Sequence, residues 1–118
     1  MFRPDDFRND PYGHLTNQGA HGGIVGAGLG LLILPWLPAV AAWFAVVGLY
    51  LAYEALIQSG IDDDWRLEWD WRDSIDDTSN VAGGAAVLIG ALEWGYWAAL
   101  AGFVIWGAAL ALSTWRRM

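Results

Sequence analysis

The sequence predicts an all-α, polytopic membrane protein with four transmembrane helices arranged as two helical hairpins. Hydrophobic residues make up 56% of the 118 residues. They are concentrated in two blocks, 24–57 and 81–112, in which Glu54 and Glu93 are the only formal charges. A bilayer core takes about 20 apolar residues per helix, so each block is too long for one span and suits two.

A pair of prolines divides the first block. Pro35 and Pro38 lie in "ILPWLPAV", and proline removes a backbone donor and disfavours helix at the residue before it. Trp36 between them is expected at the far membrane interface, where aromatic rings collect. The pattern predicts helices over residues 14–34 and 39–58.

The second block is divided less clearly, at "ALEWGYW". Glu93, Trp94 and Gly95 are interpreted as a second far-side turn, between helices over residues 74–92 and 96–115. The alternative is one long tilted helix. At 1.5 Å per residue that helix would be about 48 Å long, against a hydrocarbon core of about 30 Å, so two spans are preferred.

The basic residues set the expected orientation. The chain has no lysine, and its arginines are Arg3, Arg8, Arg66, Arg72, Arg116 and Arg117. With four spans, the tail 1–13, the loop 59–73 and the C-terminus share one side, and every arginine lies there. The positive-inside rule makes that side cytoplasmic, although most acidic residues lie there too. Residues 14–118 then form one transmembrane domain.

The loop 59–73 is acidic and rich in tryptophan. Trp65 and Trp69 are four residues apart, so a short surface helix would place both in the lipid headgroups. Binding of a partner through the same face is the alternative. A formal net charge of -7 argues against nucleic-acid binding, and the absence of cysteine excludes disulfides and thiol chemistry.

Polar stripes at helical spacing occur where the first three helices meet the cytoplasmic face. They consist of His14, Asn17 and His21 in the first helix, Glu54 and Gln58 in the second, and Asp73, Asp76 and Asn80, with Asp77 beside them, in the third. Polar groups within a span are costly unless they face the bundle interior and pair with each other. The sequence therefore predicts one buried cluster, in which His21, Glu54 and Asn80 lie close together.

The cluster has a structural and two functional interpretations. The structural interpretation is a hydrogen-bonded network, with a helix cap among Asp76, Asp77, Thr78 and Ser79. A divalent cation is the second reading, with His14, His21, Glu54 and Asp76 as candidate ligands, although the spacing matches no specific metal motif. In the third, Glu54 and Asp76 are catalytic acid–base groups and a polar headgroup is positioned by His14, His21, Gln58, Asp73 and Asn80.

Small residues recur at helical spacing in the first and third helices. They are Gly22, Gly26 and Gly30, and Gly83, Ala86 and Gly90. Such faces allow helix backbones to approach closely in lipid. The pattern predicts either packing within the chain or self-association, as in phage-type holins.

Taken together, these residues resemble the VanZ-like membrane proteins over about residues 10–90. The positions that carry the resemblance are Asp10, His14, Glu54, Gln58, Arg72, Asp73, Asp76, Asn80 and Gly83. The resemblance implies a small multi-helix membrane protein with a cell-envelope or lipid-related role. Some members are linked to glycopeptide-antibiotic tolerance, and the family has no settled biochemical activity. The tryptophan-rich insert and His21 depart from the family pattern.

Two functions follow as expectations. The first is binding of, or action on, a lipid or lipid-linked envelope molecule at the polar cluster. The second is a non-enzymatic assembly role, either as a holin-like pore former in a homo-oligomer or as a small accessory subunit of a larger membrane complex.

Overall fold

A computed structural model describes residues 11–58 and 71–117, which form four helices. Helix α1 comprises Pro11–Ala20, a π-helical segment His21–Gly26, and Ala27–Ile33. Helix α2 comprises Ala39–Tyr53 and a π-helical turn, Glu54–Gln58. Helices α3 and α4 are Trp71–Glu93 and Tyr96–Arg117. All regular structure in these two ranges is helical, which confirms the predicted all-α class.

Both predicted interruptions of the hydrophobic blocks occur. Pro38 has an extended ψ of 152° and immediately precedes α2. Between α3 and α4, Gly95 adopts a φ of 88°, and the backbone N–H groups of Trp94 and Gly95 both donate to the carbonyl oxygen of Gly90 at 2.9 Å. Glycine takes this left-handed conformation without the steric cost that a side chain would add. The second block is therefore two helices and not one.

Two helix starts differ from the prediction. Helix α1 begins at Pro11, not at residue 14, because the fixed φ of proline suits the first helical turn. Helix α3 begins at Trp71, so residues 71–73 belong to the helix and not to the predicted loop. Asp73 then lies in the first turn of α3. The tail 1–10 and the remaining loop residues, 59–70, lie outside the described residues.

Helix α3 is the centre of the bundle and contacts each of the other three helices. The residues of α3 that contact α1 follow one another in the same order as their partners along α1. Gly84 lies against the backbone of Gly22, and Ile89 lies against Gly30. This order makes α1 and α3 parallel.

The contacts of α3 with α4 run in the opposite order. Gly83 lies against Trp106, and Gly90 lies 3.0 Å from the backbone of Ala98, measured from the position that a Cβ would occupy. Helix α4 is therefore antiparallel to α3.

The predicted small residues lie at these helix–helix contacts. A Cβ on Gly22 would overlap Trp106, and a Cβ on Gly26 would overlap the carbonyl group of Val81. The backbone of Ala86 lies 3.0 Å from the Cβ position of Gly102. Packing within the chain thus uses both small-residue faces.

The bundle has an apolar surface and an interior that contains many polar side chains. Large side chains such as Trp36, 83% exposed, and Trp97, 76% exposed, face outward. The buried polar residues are Gln18, Glu54, Ser74, Asp76, Asp77, Thr78, Asn80 and Ser113. Two helical stretches are long and apolar enough to cross a membrane, Ala39–Leu56 and Tyr96–Trp115, with mean hydropathies of 1.7 and 1.6.

Candidate functional site

Three ionisable side chains from three helices converge in the bundle interior. His21 comes from α1, Glu54 from α2 and Asp77 from α3, and one potential ligand atom of each lies within 4.8 Å of the others. We refer to these three residues as the carboxylate–histidine group. Glu54 and Asp77 are buried, and the side chain of His21 is 15% exposed.

The imidazole of His21 is oriented by its own helix. Its Nδ1 lies 2.8 Å from the carbonyl oxygen of Asn17, one turn earlier. Because a carbonyl oxygen only accepts, this hydrogen bond requires the proton on Nδ1. Nε2 then points to Oδ2 of Asp77 at 3.6 Å, and the edge of the ring meets Tyr50 with a centroid separation of 5.6 Å.

Both oxygens of the Glu54 carboxylate accept hydrogen bonds. The hydroxyl of Tyr50, one turn earlier on α2, donates to Oε1 at 2.5 Å. The hydroxyl of Ser74, from the first part of α3, donates to Oε2 at 3.2 Å. These two hydroxyls fix the carboxylate at the junction of α2 and α3.

Asp77 is held by an amide pair that joins α1 to α3. Gln18 donates from Nε2 to Oδ1 of Asp77 at 2.8 Å, and its Oε1 accepts from Nδ2 of Asn80 at 2.7 Å. Asn80 also donates to the backbone carbonyl of Asp76 at 2.9 Å and accepts from the indole N–H of Trp106 at 3.0 Å. The network therefore connects the carboxylate–histidine group to α4.

A further set of buried polar groups lies on another part of α3. Thr78 is buried, and within the described residues its hydroxyl oxygen has no hydrogen-bond partner. Asp76 and the α4 residue Ser113 are buried as well. Polar burial thus extends around α3 and is not confined to the face of the carboxylate–histidine group.

The predicted cluster exists for the residues that the structure describes. His21 and Glu54 meet in the carboxylate–histidine group, and Asn80 is connected to it through Gln18. The third member of the group is Asp77, whereas Asp76, the predicted catalytic partner and metal ligand, is buried outside it.

Three other candidates lie at the edge of the described structure. His14, Gln58 and Asp73 belong to α1, the π-helical turn of α2, and α3 respectively. Their side chains are outside the description, so their role in ligand binding stays a prediction.

Several residues of the network were not singled out by sequence. Gln18 and Tyr50 carry a signal in retrospect, since they precede His21 and Glu54 by three and four residues and so share a helix face with them. Trp106 carries a weaker sequence signal, because a buried indole N–H needs a hydrogen-bond partner.

Both π-helical segments begin at a member of the carboxylate–histidine group. His21 opens one and Glu54 opens the other. A π-helical turn is rare and is found frequently at functional sites. Each π-helical segment changes the direction of the side chains that follow it. Regular α-helical spacing therefore does not predict the orientation of those side chains.

Comparison of the chain with family models, with curated proteins and with solved structures finds no match. The resemblance to the VanZ-like family therefore stays a prediction. The class of protein that fold and site define is an all-α bundle with an apolar surface and a buried His/Glu/Asp cluster.

Proposed function

We propose that this protein is a multi-pass membrane protein that binds, or acts on, the polar part of a lipid or lipid-linked envelope molecule at the carboxylate–histidine group. The observation that carries the proposal is the distribution of polarity. Ionisable groups lie inside the bundle, and large apolar side chains cover its outside. In lipid, ionisable residues inside a bundle mark functional sites by default.

The proposal includes four spans in two hairpins, with the N- and C-termini cytoplasmic. Helix α4 has 22 residues and α3 has 23, and about 20 are needed to cross the bilayer core. Helix α3 is the least apolar of the four along its first half. Because α3 contacts the other three helices and buries Asp76, Asp77 and Asn80, its low hydropathy does not prevent it from spanning.

The composition of the cluster favours a ligand site over a purely structural network. Gln18 and Asn80 alone would join α1 to α3 with neutral hydrogen bonds. Two carboxylates and an imidazole add charge in a medium where burying charge is costly. A polar ligand that enters from the headgroup region would interact with these groups and offset that cost.

The proposal is tested by native mass spectrometry of the protein released gently from its own membrane. We expect a form that retains one lipid-sized molecule, and we expect Glu54→Gln to lose it. Glu93→Gln is the matched control, since Glu93 is an exposed carboxylate at the far end of α3 and retention should be unchanged.

A large homo-oligomer or a defined protein partner without bound lipid would overturn the proposal in favour of an assembly role. The packing glycines bear on this alternative. Gly22, Gly26 and Gly83 already contact other helices of the same chain, so they are not available for self-association.

The spans are tested separately by cysteine labelling, for which the natural absence of cysteine gives a clean background. Trp36→Cys and Trp94→Cys should react with an impermeant thiol reagent from the same side of the membrane. A cysteine appended to either terminus should react from the opposite side. Labelling of positions 36 and 94 from opposite sides would contradict four spans.

A further inference from the structure

We propose that His21, Glu54 and Asp77 bind one divalent transition-metal ion of the Zn²⁺ or Mn²⁺ type. Imidazole and carboxylate donors together suit these ions. Three protein ligands leave at least one coordination position for water or for a substrate oxygen, as in catalytic zinc sites. The metal site stands on its own geometry and does not depend on the proposed lipid ligand.

The spacing of the donor atoms supports this assignment. Nε2 of His21 and Oδ2 of Asp77 are 3.6 Å apart. Two ligands bound tetrahedrally to one zinc ion at 2.0–2.2 Å lie about 3.4 Å apart. This pair therefore needs little movement. The ligand atoms of the whole group lie within 4.8 Å of one another, so binding one ion requires the Glu54 carboxylate, which Tyr50 and Ser74 now hold, to move towards the other two ligands.

Hydrogen bonds around the group orient the donors as a metal requires. A metal-bound histidine usually donates its other ring N–H to a carbonyl or carboxylate, and metal-bound carboxylates are themselves hydrogen-bonded. His21 meets this condition through the carbonyl oxygen of Asn17. Asp77 meets it through Gln18, and Glu54 through Tyr50. Nε2 of His21 lies on the side of the ring that faces Oδ2 of Asp77.

The competing explanation is a metal-free ion pair between His21 and Asp77. At 3.6 Å the contact is longer than an N–H···O hydrogen bond, which is 2.7–3.2 Å. A charge-assisted pair would be shorter still. The distance is compatible with two ligands of one ion, and metal titration distinguishes this arrangement from an ion pair.

The two π-helical segments are an independent observation. Each begins at a ligand residue, His21 in α1 and Glu54 in α2. A π-helical turn interrupts the regular α-helical hydrogen-bond pattern. Such turns are rare and are found frequently at functional sites. A metal ion bound by both His21 and Glu54 would explain why both π-helical segments begin at the same site.

A bound cation also changes which molecules the site accepts. Without it, Glu54 and Asp77 would repel a phosphate group. A divalent ion neutralises the two carboxylates and offers an open coordination position to an anionic oxygen. This step, which names phosphate-bearing headgroups as the ligand class, rests on the proposed function, whereas metal binding itself does not.

The test measures metal binding by the purified, detergent-solubilised full chain after removal of bound metal with a chelator. Zn²⁺ is titrated by calorimetry, and Co²⁺ serves as a spectroscopic probe of the ligand set. We expect one ion per chain, and we expect His21→Ala and Asp77→Asn to weaken binding at least about tenfold.

Asp76→Asn is the matched control. Asp76 is 3% exposed and Asp77 is 2% exposed, and they are neighbours on α3, but only Asp77 belongs to the group. The control should bind metal as the unchanged protein does. Circular dichroism and gel filtration check folding, and Glu54→Gln replaces any variant that fails to fold.

Absence of saturable Zn²⁺ binding, or equal losses in Asp76→Asn and Asp77→Asn, would overturn the metal site. The outcomes also separate the two proposals. A protein that retains lipid but binds no metal refutes the metal site alone. A protein that binds metal but never retains lipid refutes the lipid proposal alone.

Discussion

The side-chain amide of Gln18 donates a hydrogen bond to Asp77 across 59 residues of sequence, at 2.8 Å. The contact holds α1 against α3 in the bundle interior, and it fixes one oxygen of Asp77 so that the other faces His21. A single uncharged side chain thus determines both a helix contact and the orientation of a carboxylate in the candidate site.

Replacement of Gln18 by leucine should destabilise the protein. The substitution removes the hydrogen bond that Gln18 donates to Oδ1 of Asp77. It also removes an acceptor for Nδ2 of Asn80. A buried group left unpaired costs about 1–3 kcal/mol. Unfolding in mixed micelles measures the loss. Thr16→Leu, at an exposed position on the same helix, should change stability much less, and an equal effect of the two would contradict the role of the amide.

Replacement of Gly84 by leucine should prevent α1 and α3 from packing. A Cβ at Gly84 would overlap the backbone of Gly22, which cannot move without displacing the whole helix. Thermal unfolding and gel filtration should report a misfolded or aggregated protein. Gly48→Leu is the control, because nothing lies within 4 Å of a Cβ at that position. Tolerance of leucine at position 84 would show that the close approach is not required.

Replacement of Trp106 by phenylalanine should lower stability by about 1 kcal/mol, the net contribution of a typical hydrogen bond. The change removes the N–H that donates to Oδ1 of Asn80 and retains an aromatic ring. Trp97→Phe, at an exposed position of the same helix, is the control. Differential scanning fluorimetry compares the two, and equal melting temperatures would contradict a stabilising contact.

Replacement of Gly95 by alanine should destabilise the turn between α3 and α4. The residue has a φ of 88°, and an L-residue in the left-handed region costs about 1–2 kcal/mol. The matched control is Gly107→Ala within α4, where a Cβ meets nothing within 4 Å and helix propensity improves. Chemical unfolding of both variants should show changes of opposite sign.

The architecture was predictable where local chemistry decides it. Pro38 starts α2 because it cannot continue the preceding helix, and Gly95 takes a backbone conformation that other residues avoid. Once both turns are placed, the order of the helices brings the start of α1, the end of α2 and the start of α3 together. The meeting of His21 with Glu54 follows from that order and from the cost of burying polar groups without partners.

The identity of the second carboxylate was not predictable in the same way. Asp76 and Asp77 are adjacent, and a helix turns by about 100° between them. Only the rotation of α3 about its axis decides which one faces His21. That rotation is determined by long-range packing, such as that of Gly84 against Gly22.

Under the proposed four-span topology, the central position of α3 has a consequence for the order in which the helices enter the membrane. An aspartate at the centre of an isolated helix opposes insertion by about 2.5–3.5 kcal/mol, and α3 carries two buried aspartates, Asp76 and Asp77, in its first two turns. On its own it would be a poor substrate for the insertion machinery. Helices α1 and α2 are synthesised before α3, and their side chains Gln18, His21 and Tyr50 provide polar partners for it. Under that topology, we expect insertion of α3 to depend on prior assembly of α1 with α2.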